Sequence, residues 1–259
     1  MFFQITRASL FDTILFKGRA NGIRMIYTEL TKKALKLSFE AHKNQIDKSG
    51  MPYVYHPFHL AEQMHTEEET IVALLHDVVE DTDYSIEDIK ASGFSDQVIE
   101  ALALMTHDKS IPYMEYIKKI KSNYIAKAVK VADLKHNSDL SRLDIIDGKA
   151  IERVQKYADA VHLLAGEDYV VNNLVFFCYG DQHSSLGGSI NDGCLHIESK
   201  VYGEDYDSEK HYSFSKDATL KLFSLISLDS FIELCKKKHI GGLEKYLSKN
   251  HIAYESITI

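Results

Sequence analysis

The stretch LLHDVVEDT, residues 74–82, places four ionisable side chains inside an otherwise apolar run. A helix with 3.6 residues per turn would stack His76 with Glu80 and Asp77 with Asp81 along one patch of its surface. Burying this many charged groups is costly unless a cation or partner groups compensate them. The pattern therefore indicates either a buried site that holds a cation or, more simply, a surface acid cluster with an incidental histidine.

The residues before this run predict where its helix begins. Thr66 is a candidate N-cap, and Glu69 stands at the third helical position, which is the spacing of a capping box. Acidic residues 67–69 suit the positive end of the helix dipole. The apolar residues that frame the four charges indicate a helix that packs inside a helical bundle.

Composition limits the class of protein. The chain has 259 residues, of which 45% are hydrophobic and 26% charged, so it fits a soluble globular protein of one large or two small domains. The net charge of -8 argues against nonspecific nucleic-acid binding. No apolar run approaches the roughly 18 residues of a membrane span, and three widely spaced cysteines without a CxxC motif favour a reducing, cytoplasmic location.

Helical and β-rich patterns divide the chain. We predict an N-terminal extension at 1–27, a helical domain at 28–167 and a small α+β domain at 168–259, so the fold class is mainly α. The extension reflects either a targeting presequence or a true start at Met25. In the last part, residues 170–180, 193–203 and 210–215 are typical of strands, and 184–193 of a turn. Residues 227–239 and 241–250 predict two short helices before a final strand at 251–259.

An adjacent histidine and aspartate provide only two metal ligands, so a metal site here needs others. His56 lies 20 residues before His76, and Asp133 lies 56 residues after Asp77. This order of residues resembles the HD phosphohydrolase superfamily. The resemblance implies an HD-domain helical bundle in which His56, His76, Asp77 and Asp133 hold a divalent metal.

Three blocks narrow the resemblance: HKNQIDKSGMPYVYHP at 42–57, LLHDVVEDT at 74–82 and VKVADLKHN at 129–137. Together they are similar to the hydrolase domain of the RelA/SpoT family and its small alarmone hydrolases, over residues 29–164. The implied activity is manganese-dependent removal of the 3′-pyrophosphate from guanosine tetraphosphate and pentaphosphate. In this family pattern Glu80 and Asp81 handle the attacking water, and Lys48 and Asn137 contact the nucleotide.

The chemistry of the residues agrees with the resemblance. Two imidazoles and two carboxylates suit Mn²⁺ or Fe²⁺ with open coordination positions. A metal of this kind activates water and offsets charge on a phosphoryl group. Glu80 is then placed to accept the proton of the water, while Asp81 assists or protonates the leaving group.

Some positions depart from the family pattern. Asp47 stands where the family carries an arginine, and Leu134 and Asp139 replace basic residues, although Arg142 follows one turn later as a candidate substrate contact. His136 either contacts the substrate or is satisfied by hydrogen bonds within the protein. A second hypothesis is therefore an HD hydrolase for another nucleotide or phosphate ester, and a third is a catalytically silent nucleotide-binding regulator. We expect a small nucleotide as substrate and a C-terminal module that serves homo-oligomer formation or regulation.

Overall fold

The structure, a computed structural model, describes residues 25–180, 184–202 and 207–259. Nearly all of the predicted extension at 1–27 lies outside these ranges. The first part of the described chain is helical: α1 Glu29–His42, α2 Tyr55–Ala61, α3 Glu67–Leu75, α4 Val78–Asp81, α5 Ile86–Ala91, α6 Asp96–Met105, α7 Tyr113–Ile120, α8 Tyr124–Asn137, a 3₁₀ turn Leu140–Arg142, and α9 Gly148–Ala165. The second part is mixed: β1 Asn172–Gly180, β2 Ser184–Asn191, β3 Cys194–Tyr202, β4 Asp207–Ser213, α10 Lys216–Leu225, α11 Leu228–Lys249, and β5 Glu255–Thr258.

Helix starts follow the capping residues of the sequence. Thr66 caps α3, because its hydroxyl accepts the backbone N–H of Glu69 at 3.1 Å. The carboxylate of Glu69 reaches back one residue further than a standard capping box, to the N–H of His65 at 3.0 Å. Ser85 caps α5 in a full capping box, and Gly93 follows that helix with a φ of 84°. The predicted starts of these two helices are thus confirmed.

The predicted continuous helix across LLHDVVEDT is wrong. α3 ends at Leu75 and α4 begins at Val78, with Asp77 at φ -95° and ψ -6° between them. At this break the Asp77 carboxylate accepts a hydrogen bond from the Tyr53 hydroxyl at 2.5 Å. A bend at this point therefore brings Asp77 to the chain segment that leads into α2.

The first hydrophobic core surrounds α3. All of residues 70–75 are buried, and α3 packs against α1, α2, α6 and α8. A helix that is apolar on every side belongs in the middle of a bundle. This central position places the end of α3, and with it His76, deep inside the protein.

The sheet is an antiparallel meander in the order β1-β2-β3-β4-β5. The prediction of a turn over 184–193 is wrong for most of that stretch, because residues 184–191 form β2 between β1 and β3. The chain reverses only at Asp192 and Gly193, which have positive φ values of 50° and 75°. Gly188 has a packing role instead, since a Cβ there would lie 2.5 Å from the carbonyl oxygen of His196 and 2.9 Å from the Phe176 ring.

The helices after the sheet strands also differ from the prediction. α10, capped by Ser215, was not predicted, and α11 runs as one helix of 22 residues where two short helices were predicted. Its two glycines disfavour a continuous helix, but α11 packs against β1 and β2, and these tertiary contacts stabilise the helix across the glycines. The final strand, β5, is confirmed and pairs with β4.

A second hydrophobic core lies between the sheet and α10 and α11, and α9 contributes to both cores. Ile151 and Val154 near the start of α9 belong to the second core, whereas Val161 and Leu164 near its end belong to the first. The structure is thus mainly helical with a C-terminal antiparallel sheet. Within the described ranges, no helix combines the length and apolar character needed to cross a membrane.

Candidate metal centre

Three separate elements bring the predicted metal ligands together. α2 supplies His56, the bend between α3 and α4 supplies His76 and Asp77, and α8 supplies Asp133. His56, His76 and Asp133 are buried, and each offers a ligand atom within 4.8 Å of the others. The structure therefore unites residues that are up to 77 positions apart in the sequence.

Asp77 lies at the same point. Its Oδ2 is 2.9 Å from Nε2 of His76 and 3.6 Å from Nε2 of His56. Asp133 Oδ1 faces the same two nitrogens, at 3.2 Å from His56 and 3.9 Å from His76. Two imidazole nitrogens and two carboxylate oxygens thus converge, which is a donor set that suits a divalent transition metal.

The hydrogen bonding of His76 fits a metal ligand. Its Nδ1 lies 2.9 Å from the carbonyl oxygen of Ala73 and donates to it, so the lone pair of the neutral ring is on Nε2. Nε2 is buried and has no hydrogen-bond partner, although Asp77 Oδ2 lies 2.9 Å away. A buried nitrogen left unpaired is unusual in a protein interior. Coordination of a metal ion would satisfy it.

Opposing charges set the protonation of the site when no cation is bound. Burial opposes a charged imidazolium, but Asp77 and Asp133 outweigh it and raise the pKa of His76 to about 9. Burial likewise opposes charge on Asp77, yet His76 lowers the pKa of that carboxyl to about 2. Both aspartates are therefore ionised at neutral pH, as metal ligands must be.

Second contacts orient both carboxylates. Lys130 Nζ lies 2.8 Å from Asp133 Oδ2, and Asn137 Nδ2 donates to Asp133 Oδ1 at 2.6 Å. Burial opposes charge on Asp133, but Lys130 leads the effects that hold the pKa of this carboxyl well below its usual range. On the other aspartate, the Tyr53 hydroxyl holds Oδ2. Outer contacts of this kind fix the orientation of metal ligands.

Glu80 and Asp81 lie on α4, just beyond the ligand pair, and their side chains reach solvent. Partial burial, reinforced by the nearby Asp77 carboxylate, raises the pKa of both carboxyls. Glu80 Oε2 also accepts the backbone N–H of His107 at 3.4 Å, which draws the loop after α6 to the site. Both groups thus stand at the solvent side of the ligand cluster.

A cavity of about 540 Å³ opens beside His56. Asp47, His59, His136 and Arg142 contribute to its lining. Of the predicted substrate contacts, Arg142 thus lines this cavity, and Asn137 bonds to Asp133 at the ligand cluster. Lys48 is exposed in the turn that precedes α2.

Sequence reasoning missed several residues of the site. Tyr53 and Lys130 were not predicted, although Lys130 stands three residues before Asp133, a spacing that signals a helical ion pair. His136 was left with two interpretations. The structure shows its Nδ1 2.7 Å from Nδ1 of His56 and 3.1 Å from Nη1 of Arg142.

Comparison with known proteins places the chain in a family. The guanosine-3′,5′-bis(diphosphate) 3′-pyrophosphohydrolase MESH1 of Danio rerio is 34% identical over 144 residues, which are 50% of this chain and 79% of that protein. The protein of the same name from Xenopus tropicalis is 32% identical over 172 residues, covering 59% of this chain and 94% of the relative. The chain belongs to the MESH1 family.

Other comparisons add less to the MESH1 assignment. A solved structure, described as a metazoan ortholog of SpoT that hydrolyzes ppGpp, is 25% identical and covers 55% of this chain and 92% of its own. Its TM-score of 0.43 is too low to establish a shared overall fold. No family model matches the chain.

Proposed function

We propose that the protein is a metal-dependent pyrophosphohydrolase that removes the 3′-pyrophosphate of guanosine 3′,5′-bis(diphosphate) and of the corresponding pentaphosphate. The observation that carries this proposal is the convergence of His56, His76 and Asp133, with an unpaired Nε2 on His76. Membership of the MESH1 family, whose members are named for this reaction, supports the substrate.

His56, His76, Asp77 and Asp133 would hold the metal. Their nitrogen and oxygen donors suit Mn²⁺, with Fe²⁺ as the alternative. When bound, the ion would polarise the phosphoryl group and stabilise the negative charge that develops on it. The contacts from Tyr53 and Asn137 would keep the two carboxylates turned toward it.

Glu80 and Asp81 carry the proton transfers in this proposal. Glu80 accepts a proton from the water whose oxygen attacks the phosphorus next to the ribose 3′-oxygen. The bond between that phosphorus and the 3′-oxygen breaks, pyrophosphate is released, and Asp81 gives a proton to the 3′-oxygen. A raised pKa suits Glu80 as a base, because its carboxylate then accepts a proton more readily. It suits Asp81 as an acid, because it favours the protonated form that a proton donor needs.

The nucleotide would lie in the cavity beside His56. Arg142 in its wall and Lys48 at the nearby turn supply positive charge for phosphate groups, and Asn137 supplies a polar contact close to the metal ligands. The volume of about 540 Å³ falls within the range of small-molecule sites.

A second candidate function rests on Asp47. This carboxylate lines the cavity where the family pattern has a positive charge, and it pairs with Arg142 at 2.7 Å. A site with this altered charge suits hydrolysis of another nucleotide or phosphate ester at the same metal centre. A catalytically silent regulator, the third hypothesis, has no chemical need for Glu80 and Asp81.

Pyrophosphate release tests the three functions. Purified protein with Mn²⁺ should release pyrophosphate from guanosine tetraphosphate, and EDTA should abolish the release. Glu80→Gln should remove turnover while Mn²⁺ still binds, whereas Glu115→Gln, at an exposed helical ion pair, should match the wild type. Turnover of other nucleotides without turnover of the alarmone would favour the second function. Nucleotide binding without any hydrolysis would favour the silent regulator.

Location and assembly are part of the same proposal. The cysteines Cys178, Cys194 and Cys235 are all free thiols, which suits a reducing compartment such as the cytoplasm. Homo-oligomer formation through residues 168–259 would give the C-terminal sheet a role, and light scattering of the purified protein tests it.

A further inference from the structure

We propose that Asp47 is a positioning residue for the metal ligand His56, acting through Arg142 and His136. The inference rests on the proposed metal site, and His56 is the one residue of the series that belongs to that site. Asp47 and Arg142 are 95 positions apart in the sequence, and the fold joins them at the wall of the cavity. We call the series Asp47, Arg142, His136 and His56 the relay.

Each link of the relay is a close polar contact. Arg142 Nη2 donates to Asp47 Oδ2 at 2.7 Å, and Arg142 Nη1 donates to the carbonyl oxygen of His136 at 3.1 Å. The same Nη1 lies 3.1 Å from His136 Nδ1, which in turn lies 2.7 Å from His56 Nδ1. Asp47 is itself fixed, because its Oδ1 accepts the backbone N–H groups of Ser49 and Met51 at 2.8 and 3.0 Å.

We assign the proton positions along the relay from its donors and acceptors. Arginine can only donate, so the Nδ1 of His136 that faces Arg142 must present a lone pair. In this assignment His56 Nδ1 carries the hydrogen of its 2.7 Å contact with His136 Nδ1. A neutral imidazole with its proton on Nδ1 has its lone pair on Nε2. That is the nitrogen of His56 that faces Asp77 and Asp133.

The relay thus selects the form of His56 that can bind a metal, and it also holds the ring in place. The two imidazoles of His56 and His136 are stacked, with ring centroids 4.8 Å apart. Histidine ligands commonly donate their second N–H to an outer group that sets their orientation. Here the acceptor is another histidine, and Asp47 and Arg142 keep that histidine turned toward His56.

Asp47 is well placed to control the relay because it holds one arm of the arginine fork. The Asp47 and Arg142 side chains are 13% and 26% exposed, so their pairing is partly shielded from water. Without the Asp47 charge, the guanidinium loses its anchor and can swing into the cavity. His136 Nδ1 would then lose the guanidinium that holds it, and the acceptor for His56 Nδ1 would no longer be fixed.

Mn²⁺ binding without substrate tests the relay. Asp47→Asn removes the charge yet can still accept the two backbone N–H groups, and it should weaken Mn²⁺ binding by about 10- to 100-fold, the usual effect of losing an outer contact to a metal ligand. His136→Leu should have a similar effect. His136→Asn, which can offer an amide oxygen near the position of Nδ1, should restore most of the affinity.

A double variant separates the relay from independent effects. If Asp47 acts through His136, Asp47→Asn should add no further loss of Mn²⁺ affinity in the His136→Leu background. Thermal unfolding in EDTA shows whether each variant is folded, and Glu115→Gln provides a matched loss of carboxylate charge at an exposed pair. If Asp47→Asn does not fold, Arg142→Lys serves instead, because lysine cannot bridge two partners as the guanidinium does.

The outcomes are distinguishable. The relay would be overturned if folded Asp47→Asn and Arg142→Lys bind Mn²⁺ with wild-type affinity, or if the losses of affinity multiply in the double variant. The proposed function would still stand. A wild-type protein that binds no Mn²⁺ would overturn the relay together with the proposed metal site. Three results together would support the relay: the single variants bind Mn²⁺ more weakly, His136→Asn restores the affinity, and the double variant shows no added loss.

Discussion

Replacing Lys130 by methionine removes the cation beside Asp133 and keeps most of the aliphatic side chain. Lys130 Nζ lies 2.8 Å from Asp133 Oδ2, and the two side chains are 15% and 6% exposed. Removing one partner of a buried ion pair costs about 3–5 kcal/mol. Because Lys130 keeps some contact with water, we expect a loss near the lower limit, about 3 kcal/mol of unfolding free energy, in the metal-free protein.

A bound divalent cation should make the same change less costly. The cation would face the Asp133 carboxylate that Lys130 otherwise neutralises, so Lys130→Met should bind Mn²⁺ about tenfold more strongly than the wild type. Saturating Mn²⁺ should then recover about 1.4 kcal/mol of the lost unfolding free energy. Denaturant unfolding in EDTA and in Mn²⁺ measures both values. Lys118→Met is the control, since Lys118 pairs with Glu115 at the same three-residue spacing but both side chains are 56% exposed. It should cost less than about 1 kcal/mol in either condition. If Lys130→Met loses the same unfolding free energy with and without Mn²⁺, the idea that Lys130 and the metal neutralise the same carboxylate is refuted.

Three further predictions concern pH, backbone geometry and hydrogen bonding. The neighbouring carboxylates overcome burial and raise the pKa of His76 to about 9, so Mn²⁺ must displace a proton from this residue at neutral pH. The Mn²⁺ affinity measured by calorimetry should therefore rise about tenfold per pH unit from pH 7 and level off above the pKa. An affinity that does not change with pH would contradict this. Gly193→Ala should lower the unfolding free energy by about 2 kcal/mol, because the added Cβ collides with α9 and the backbone has an unfavourable φ of 75°. Gly50 has the same φ but open space around it, so Gly50→Ala should lower the unfolding free energy by only about 1 kcal/mol in the same denaturant titration. Tyr53→Phe removes the hydrogen bond to Asp77 and should cost about 1.5 kcal/mol in EDTA; unchanged stability would show that water replaces the hydroxyl.

Much of the helical part could be predicted because its signals are local. Thr66 and Ser85 mark helix starts, and Gly93 marks an end, through contacts that span only three or four residues. The convergence of His56 with Asp133 is not local. It was predicted from a resemblance, since no spacing in one sequence reveals which distant side chains meet.

The features that sequence reasoning missed depend on tertiary contacts. No glycine or proline marks the bend at His76 and Asp77, which accompanies a contact with Tyr53. Residues 184–191 are rich in serine and glycine and were taken for a turn, yet the glycines give the neighbouring strands and the Phe176 ring the room they need. The pairing of Asp47 with Arg142 spans 95 positions, so a charge reversal that looked like a lost substrate contact has a partner only in the folded chain.

The division of α9 between the two cores has a consequence for truncation and for synthesis. A fragment that stops at residue 166 would keep the metal ligands but leave Ile151 and Val154 facing water, so it should fray at that helix and aggregate more readily. During synthesis on the ribosome, the apolar residues in the first half of α9 likewise stay exposed to water until the sheet and the helices after it have emerged. The last third of the chain therefore completes the burial of a helix that belongs half to the metal-ligand bundle.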